Sequence, residues 1–219
     1  MDITFNKENI QRRFFAAKLE CRAAVEGKAE KFGGVAATVG VEYVLWEDED
    51  VTYSEIISPG AFANAGDFDI RVLKNHDPSY LLARTASGTA RVWEDSAGLA
   101  YEWDNEPSIT YASDLAASIR RGDTRESSFG FLIGNEIWEQ SNIDGRRKYK
   151  RTILSFSEIF DVSPVTFPAN RTTSVTEKRD LENAVKVFFD KNNPEKPTEK
   201  INFDLLQRGL EVKRKHLIC

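Results

Sequence analysis

The sequence predicts an α+β fold or a β-barrel core, built mostly of antiparallel strands with a few helices. Three observations lead there. Apolar, β-prone stretches recur along most of the chain. Two pairs of them flank short segments with turn chemistry, as hairpins do. Only two stretches carry helical spacing.

The first strand-like stretches are "RRFFAAKLECRAAV" (12–25) and "GGVAATVGVEYVLW" (33–46), separated by the charged, glycine-bearing "EGKAEKFG". A hairpin follows: "GTARVWE" and "GLAYEWD" flank "DSAG", where Asp95 and Gly98 supply the turn. In "PSITYASDLAASIRRGD", Ala112, Leu115, Ala116 and Ile119 recur at helical spacing, with Pro107 and Ser108 at the start and Gly122 at the stop. A long hairpin is expected next, from "SSFGFLIGNEIWEQ" and "RRKYKRTILSFSEIF" around "SNIDG". Pro168 ends the strand run, and "RTTSVTEKRDLENAVKVFF" reads as helix. "KNNPEKPTEK" (191–200) has two prolines and no apolar residue, the composition of a linker. Beyond it lies a short, basic-ended amphipathic stretch. The expected organisation is a core domain over residues 12–190, followed by linker and tail over 191–219.

The whole-chain numbers narrow the function classes. With 219 residues, the chain can bury a sizeable core. A hydrophobic content of 41% with 30% charged residues is ordinary for a soluble protein. No run approaches the roughly 20 apolar residues that cross a bilayer, so no membrane role is expected. "MDITFNKENIQRR" lacks the apolar region of a secretory signal. Cys21 and Cys219 suggest two free thiols in a reducing cytosol. A net charge of −5 argues against nucleic acid as a partner. No His/Cys cluster has metal-ligand spacing, and no cofactor motif appears, so neither metal nor cofactor is expected. Chemistry would then fall to hydroxyls, carboxylates and histidine.

There are only two histidines, and one of them, His76, stands in "VLKNHDPSY" between an amide and a carboxylate. Histidine is the side chain whose ordinary charge change falls near neutral pH, which suits it to general base work. A surface turn is the plainer reading of Asn-His-Asp-Pro. A serine must lose its proton to attack, so the base needs a hydroxyl beside it. Ser127 and Ser128 in "RESSFGF" open a predicted strand, and alternation separates them. Ser127 shares a face with Phe129, Phe131 and Ile133, expected to point into the core. Ser128 shares the other with Gly130, Leu132 and Gly134, where two glycines would let a substrate backbone approach. Ser128 is therefore the better nucleophile. A bulged strand with no catalytic role is the alternative. For the carboxylate that orients the imidazole, Asp161 and Glu158 in "SFSEIFDVSPVTFPAN" compete. Asp161 lies between Phe160 and Val162, where a buried charge needs a partner. Ser163 is a rival nucleophile, ranked lower because Pro164 follows it and no glycine opens the surface.

The order of segments adds a further argument. "EIISPGAFA", "VLKNHDPSYLLARTASGTARVWEDSAGLAYE", a helix with "RRGD", "SSFGF" and "FDVSPVTFPAN" together resemble the prohead (capsid maturation) proteases of tailed bacteriophages. The resemblance runs from about Phe14 to Thr173. It implies a herpesvirus-assemblin-like fold, a small antiparallel β-barrel surrounded by helices. It also implies a catalytic set of His76, Ser128 and Asp161, with Glu158 in reserve, since the family often has glutamate at the acidic position. Where the family commonly has glycine, this chain has Ala83.

The implied mechanism is acyl transfer, with backbone N–H groups or an arginine such as Arg171 serving the oxyanion. The implied substrates are the scaffolding segment of the major capsid protein, inside the assembling prohead in the bacterial host cytoplasm, and the protease itself. A homo-oligomer stays open. Two other functions compete. A cytosolic serine esterase would be expected to show a Gly-x-Ser-x-Gly elbow, which is missing. A non-catalytic internal scaffold protein would not need His76, Ser128 and Asp161 intact.

Overall fold

The computed structural model describes residues 11–15, 19–22, 29–167 and 175–192. The chain divides into one compact unit of residues 1–181 and a second of 182–219. The first unit is α+β and mostly strands. Its elements in chain order are β1 (Gln11–Phe15), β2 (Glu20–Arg22), β3 (Lys31–Thr38), β4 (Glu42–Glu47), β5 (Val51–Ile57), β6 (Arg71–Lys74), β7 (Asp77–Arg84), β8 (Ala90–Glu94), β9 (Gly98–Asp104), helix α1 (Thr110–Arg121), β10 (Glu126–Ile143) and β11 (Arg146–Val165). Helix α2 (Val175–Asn192) begins in the first unit and supplies the described residues of the second.

Among the described residues, eleven strands form two sheets. One runs β1-β10-β11-β5-β4, with the β6–β7 hairpin joined to β11; the other runs β2-β3-β9-β8. Among the described residues no ladder joins the end strands β1 and β4, the pairing a closed barrel would need. Most ladders are antiparallel, as expected, but β11 pairs in parallel with both β5 and β6. Long stretches of chain separate these strands from β11, enough for the crossover that parallel pairing requires.

The predicted stretch 33–46 is two strands in different sheets. Gly40 takes φ +72°, a left-handed conformation open to glycine, and its N–H donates to the Ile57 carbonyl at 2.8 Å. The sequence reading passed over β5 entirely. Every residue of β5 is buried except Ile56, which is half-buried, so the strand has no alternation to read. The β8–β9 turn follows expectation, with the Asp95 carboxylate accepting the N–H groups of Ala97 and Gly98 at 2.8 and 3.1 Å. Helix α1 buries Ala112, Leu115, Ala116 and Ile119 and ends at Gly122 with φ +81°. It starts at Thr110, later than Pro107, because Glu106 holds Ser108 outside the helix through its N–H and hydroxyl.

The β10–β11 hairpin is longer than the sequence suggested. Its two-residue turn, Asp144–Gly145, has positive φ at both positions, as an Asp-Gly hairpin turn requires. Beneath the first half of β10, Phe129, Phe131, Phe62 and Phe156 pack ring on ring, with Phe62 stacked on Phe156 at 4.6 Å and Phe129 on Phe131 at 4.5 Å. All four are at most 2% exposed, so the strand that carries the serine pair rests on a rigid apolar floor. The predicted second helix is found as α2; its first four predicted residues, 171–174, and the tail from 193 on lie outside the described residues.

Candidate active site

β11 is the organising strand. At Asp161 it pairs with Gly130 of β10 on one side and Arg71 of β6 on the other. The strand after β6 is its hairpin partner β7, and the two residues between them are Asn75 and His76. Lys74 pairs with Asp77 across this turn, so the hairpin is as tight as hairpins come. Asn75 and His76 have φ of 54° and 58°. Two successive positive φ values are what a type I′ turn demands; Asn favours its first position, and glycine is usual at the second. Here histidine takes the glycine place. A residue with a Cβ pays for a left-handed conformation, so the surroundings must hold it. They do: Asn75 N–H donates to the Pro164 carbonyl at 3.0 Å, and its side chain exchanges hydrogen bonds with Thr166 at 2.8 and 3.2 Å.

This clamp brings three of the sequence-predicted residues together. His76 Nδ1 lies 2.6 Å from Asp161 Oδ1, and its Nε2 lies 2.6 Å from Ser128 Oγ. The histidine and aspartate side chains are only 7% and 8% exposed, and Ser128 is wholly buried. Serine, imidazole and carboxylate are thus linked in series, 52 and 85 residues apart in sequence.

The neighbouring serines separate by partner. Ser127 Oγ is 2.9 Å from the Tyr101 hydroxyl, whose pKa burial pushes up, so that phenol stays protonated. Ser163, the rival nucleophile of the sequence reading, instead donates to Asp161 Oδ1 at 2.7 Å. Sequence reasoning missed this role, although the signal was present: residues 161 and 163 lie two apart on a strand and share a face. Replacing Ser163 with alanine removes a hydrogen bond to a charged acceptor, and hydrolysis should fall by about tenfold with the fold intact. Steady-state kinetics beside a melting curve checks this. Glu158 sits three residues upstream on β11, paired with Leu132. Arg171 lies outside the described residues.

The glycine argument for Ser128 holds only in part. Register shifts between Gly130 and Phe131, and again around Leu132, Ile133 and Asn135, interrupt the alternation it assumed. Gly134 faces its own hairpin partner: an added Cβ would come within 2.9 Å of Ser155 Oγ. Gly130 is paired on its other side with Arg12 of β1, so β10 is flanked there by a strand of this same chain. A surface concavity of about 170 Å³, lined by residues such as Lys31, Trp93 and Glu102, lies on the other sheet and includes none of the three linked residues.

A second polar cluster stands near the site and had no sequence signal. Buried Glu55 of β5 accepts hydrogen bonds from Arg13 of β1 at 2.7 and 3.1 Å, and also contacts Arg151 of β11 and the Tyr43 hydroxyl. Burial alone would raise the carboxyl's pKa, but the attraction of Arg13 and Arg151 outweighs it and holds the value at about 2. A carboxylate depressed from 4.5 contributes stability that is complete above that value and is lost as pH falls toward about 2. The melting temperature should therefore drop through this acid window. In Glu55→Gln the drop should be smaller, and the protein should be weaker at neutral pH by roughly 3–5 kcal/mol, because two guanidiniums lose their counter-charge. Thermal melts from pH 2 to 7 on both proteins test it.

A buried serine–imidazole–carboxylate series on an α+β scaffold is the arrangement used by serine hydrolases. Comparison with known proteins narrows the class: residues 17–187 match the caudovirus prohead serine protease family, and the chain belongs to it. It is a serine peptidase of phage capsid maturation. Among solved structures, the bacteriophage T4 capsid assembly protease gp21 is similar, with 12% identity and a TM-score of 0.40 over 73% of this chain and 98% of that one. No curated protein sequence matches.

Proposed function

We propose that this prohead protease cleaves the scaffolding segment of the major capsid protein, and its own chain, inside the assembling prohead in the host cytoplasm. The observation that carries the catalytic part is the pair of 2.6 Å contacts linking Ser128, His76 and Asp161. Neutral His76 takes the Ser128 proton on Nε2 while Nδ1–H donates to Asp161. The alkoxide attacks the peptide carbonyl, His76 returns the proton to the leaving amine, and water then frees the acyl-enzyme. Asp161 holds the imidazole tautomer and balances the imidazolium as it forms. The two sheets are read as the opened halves of an assemblin-like barrel.

Family membership supports a capsid-maturation substrate, and the similar T4 protein is itself described as a capsid assembly protease. Fragments of a scaffolding segment would leave the shell and clear its interior. The linker and tail over 191–219 are proposed to direct the protease into the prohead. Truncation after residue 190 should leave solution cleavage unchanged but exclude the protease from purified particles. The substrate is tested by co-expressing wild type or Ser128→Ala with the capsid protein and following its mass through assembly. Shortening with wild type alone supports the reading; shortening with both, or with neither, overturns it.

A further inference from the structure

The concavity on the second sheet is built from two rows of residues. In one row Glu20 pairs with Gly33, Gly33 with Glu102 and Glu102 with Arg91; in the next, Val35 pairs with Ala100 and Ala100 with Trp93. Directly opposed residues share a face of a sheet, and so do residues two apart on a strand. Both rows therefore lie on one face, while the other carries Tyr101 and Trp103 into the core. Between the rows the floor is low. Gly33 has no side chain, and an added Cβ would collide with the Tyr101 carbonyl oxygen, so no larger residue fits. Ala100 adds only a methyl group. Trp93, 40% exposed, forms a wall, and the trough so enclosed measures about 170 Å³.

Size and charge select the occupant. The trough is smaller than the roughly 300–1,000 Å³ of sites for free small molecules, and suits one side chain of a larger partner. Val35, Ala100 and Trp93 offer an apolar surface to an aliphatic stem. The charged residues lining it are Lys31 and three carboxylates, Glu20, Asp95 and Glu102. Lys31 is already held by Glu102 at 2.8 Å and Asp104 at 3.4 Å, and Arg91 by the same two carboxylates at 3.1 and 3.2 Å. Glu20 and Asp95 are different: both are exposed, and among the described residues neither takes part in an ion pair. An indole wall, an apolar floor and two uncompensated carboxylates are complementary to a cation carried on an aliphatic stem.

We propose that this face of β3, β9 and β8 docks an extended segment of a protein partner through one lysine or arginine side chain. The stem lies over Val35 and Ala100, the cationic head meets the Trp93 ring, and Glu20 and Asp95 supply the counter-charge. The trough includes none of Ser128, His76 and Asp161, so docking stands apart from the peptidase reading.

The test is a titration of full-length Ser128→Ala protein with a short serine–glycine peptide carrying one central lysine. The readout is the NMR shift of the Gly33, Gly34 and Ala100 amides and the Trp93 indole N–H. The lysine peptide and its arginine version should move these signals together. Norleucine in place of lysine keeps the stem without the charge and should bind about fivefold more weakly; glutamate should not bind. Adding Glu20→Gln and Asp95→Asn should shrink the preference for lysine over norleucine to about twofold. Adding Trp93→Ala instead should remove binding of both peptides. Should the Trp93 variant fail to fold, the two carboxylate substitutions, isosteric and at exposed positions, carry the test alone. No shift with any peptide, shifts that map elsewhere, or a lysine peptide that binds no better than the norleucine or glutamate one overturns the inference. So does a preference for lysine that survives loss of both carboxylates undiminished. Each of these outcomes leaves the peptidase reading standing.

Discussion

Ser128→Ala protein should fold, assemble with capsid protein and leave it uncut, with turnover lower on the order of a million-fold. The size of the effect follows from what the hydroxyl does. Its Oγ lies 2.6 Å from His76 Nε2, the position a hydroxyl needs in order to pass its proton to the base and form an acyl-enzyme. The structural cost should be small. Alanine keeps the backbone pairing with Ser163 and Phe14 and loses one hydrogen bond to the Arg13 carbonyl, roughly 1 kcal/mol. Ser127→Ala makes the contrast. It loses the bond to Tyr101 inside the core and should lower the melting temperature while retaining most activity. Cleavage of capsid protein by purified Ser128→Ala at near wild-type rate would remove Ser128 from the nucleophile's role.

The parts of the fold legible in the sequence were those whose signals are local. Helix α1 was readable because its four buried residues recur at helical spacing and Gly122 closes it. The β8–β9 hairpin was readable because Asp95 and Gly98 are turn residues for reasons internal to the turn. β5 was not readable: a strand buried on both faces has no periodicity to distinguish it. Its parallel pairing with β11 joins residues 96 apart, such as Val51 and Arg147, which no local pattern records. The same divide runs through the site. His76, Ser128 and Asp161 were nameable because histidine is scarce, and because the order of motifs resembles a family with such a set. Ser163 was legible only by its spacing from Asp161. The Arg13–Glu55–Arg151 cluster was illegible, because each member reads alone as one more charge on a strand. Alternation chose Ser128 over Ser127, but the register shifts that follow Gly130 show the pattern holding only over the first few residues of β10.

His76 allows a sharper separation of fold from function than the serine does. Its φ of 58° occupies the position in a type I′ turn where glycine is usual, and a left-handed conformation costs a residue with a Cβ roughly 1–2 kcal/mol. His76→Gly should therefore keep the β6–β7 hairpin, hold or raise the melting temperature, and abolish hydrolysis. His76→Ala loses the imidazole but keeps the strain, so it should be equally inactive and less stable than the glycine variant. Among the described residues the chain offers no second histidine to replace the base. Asp161→Asn is the graded companion. The amide preserves shape but cannot balance an imidazolium and favours the wrong tautomer, so turnover should fall roughly 10⁴-fold, less than for Ser128→Ala. Circular dichroism, melting curves and single-turnover cleavage on the three variants decide the matter. An inactive but destabilised His76→Gly would mean the imidazole holds the turn rather than working from it. A fully active Asp161→Asn beside a dead Glu158→Gln would move the carboxylate's role to Glu158.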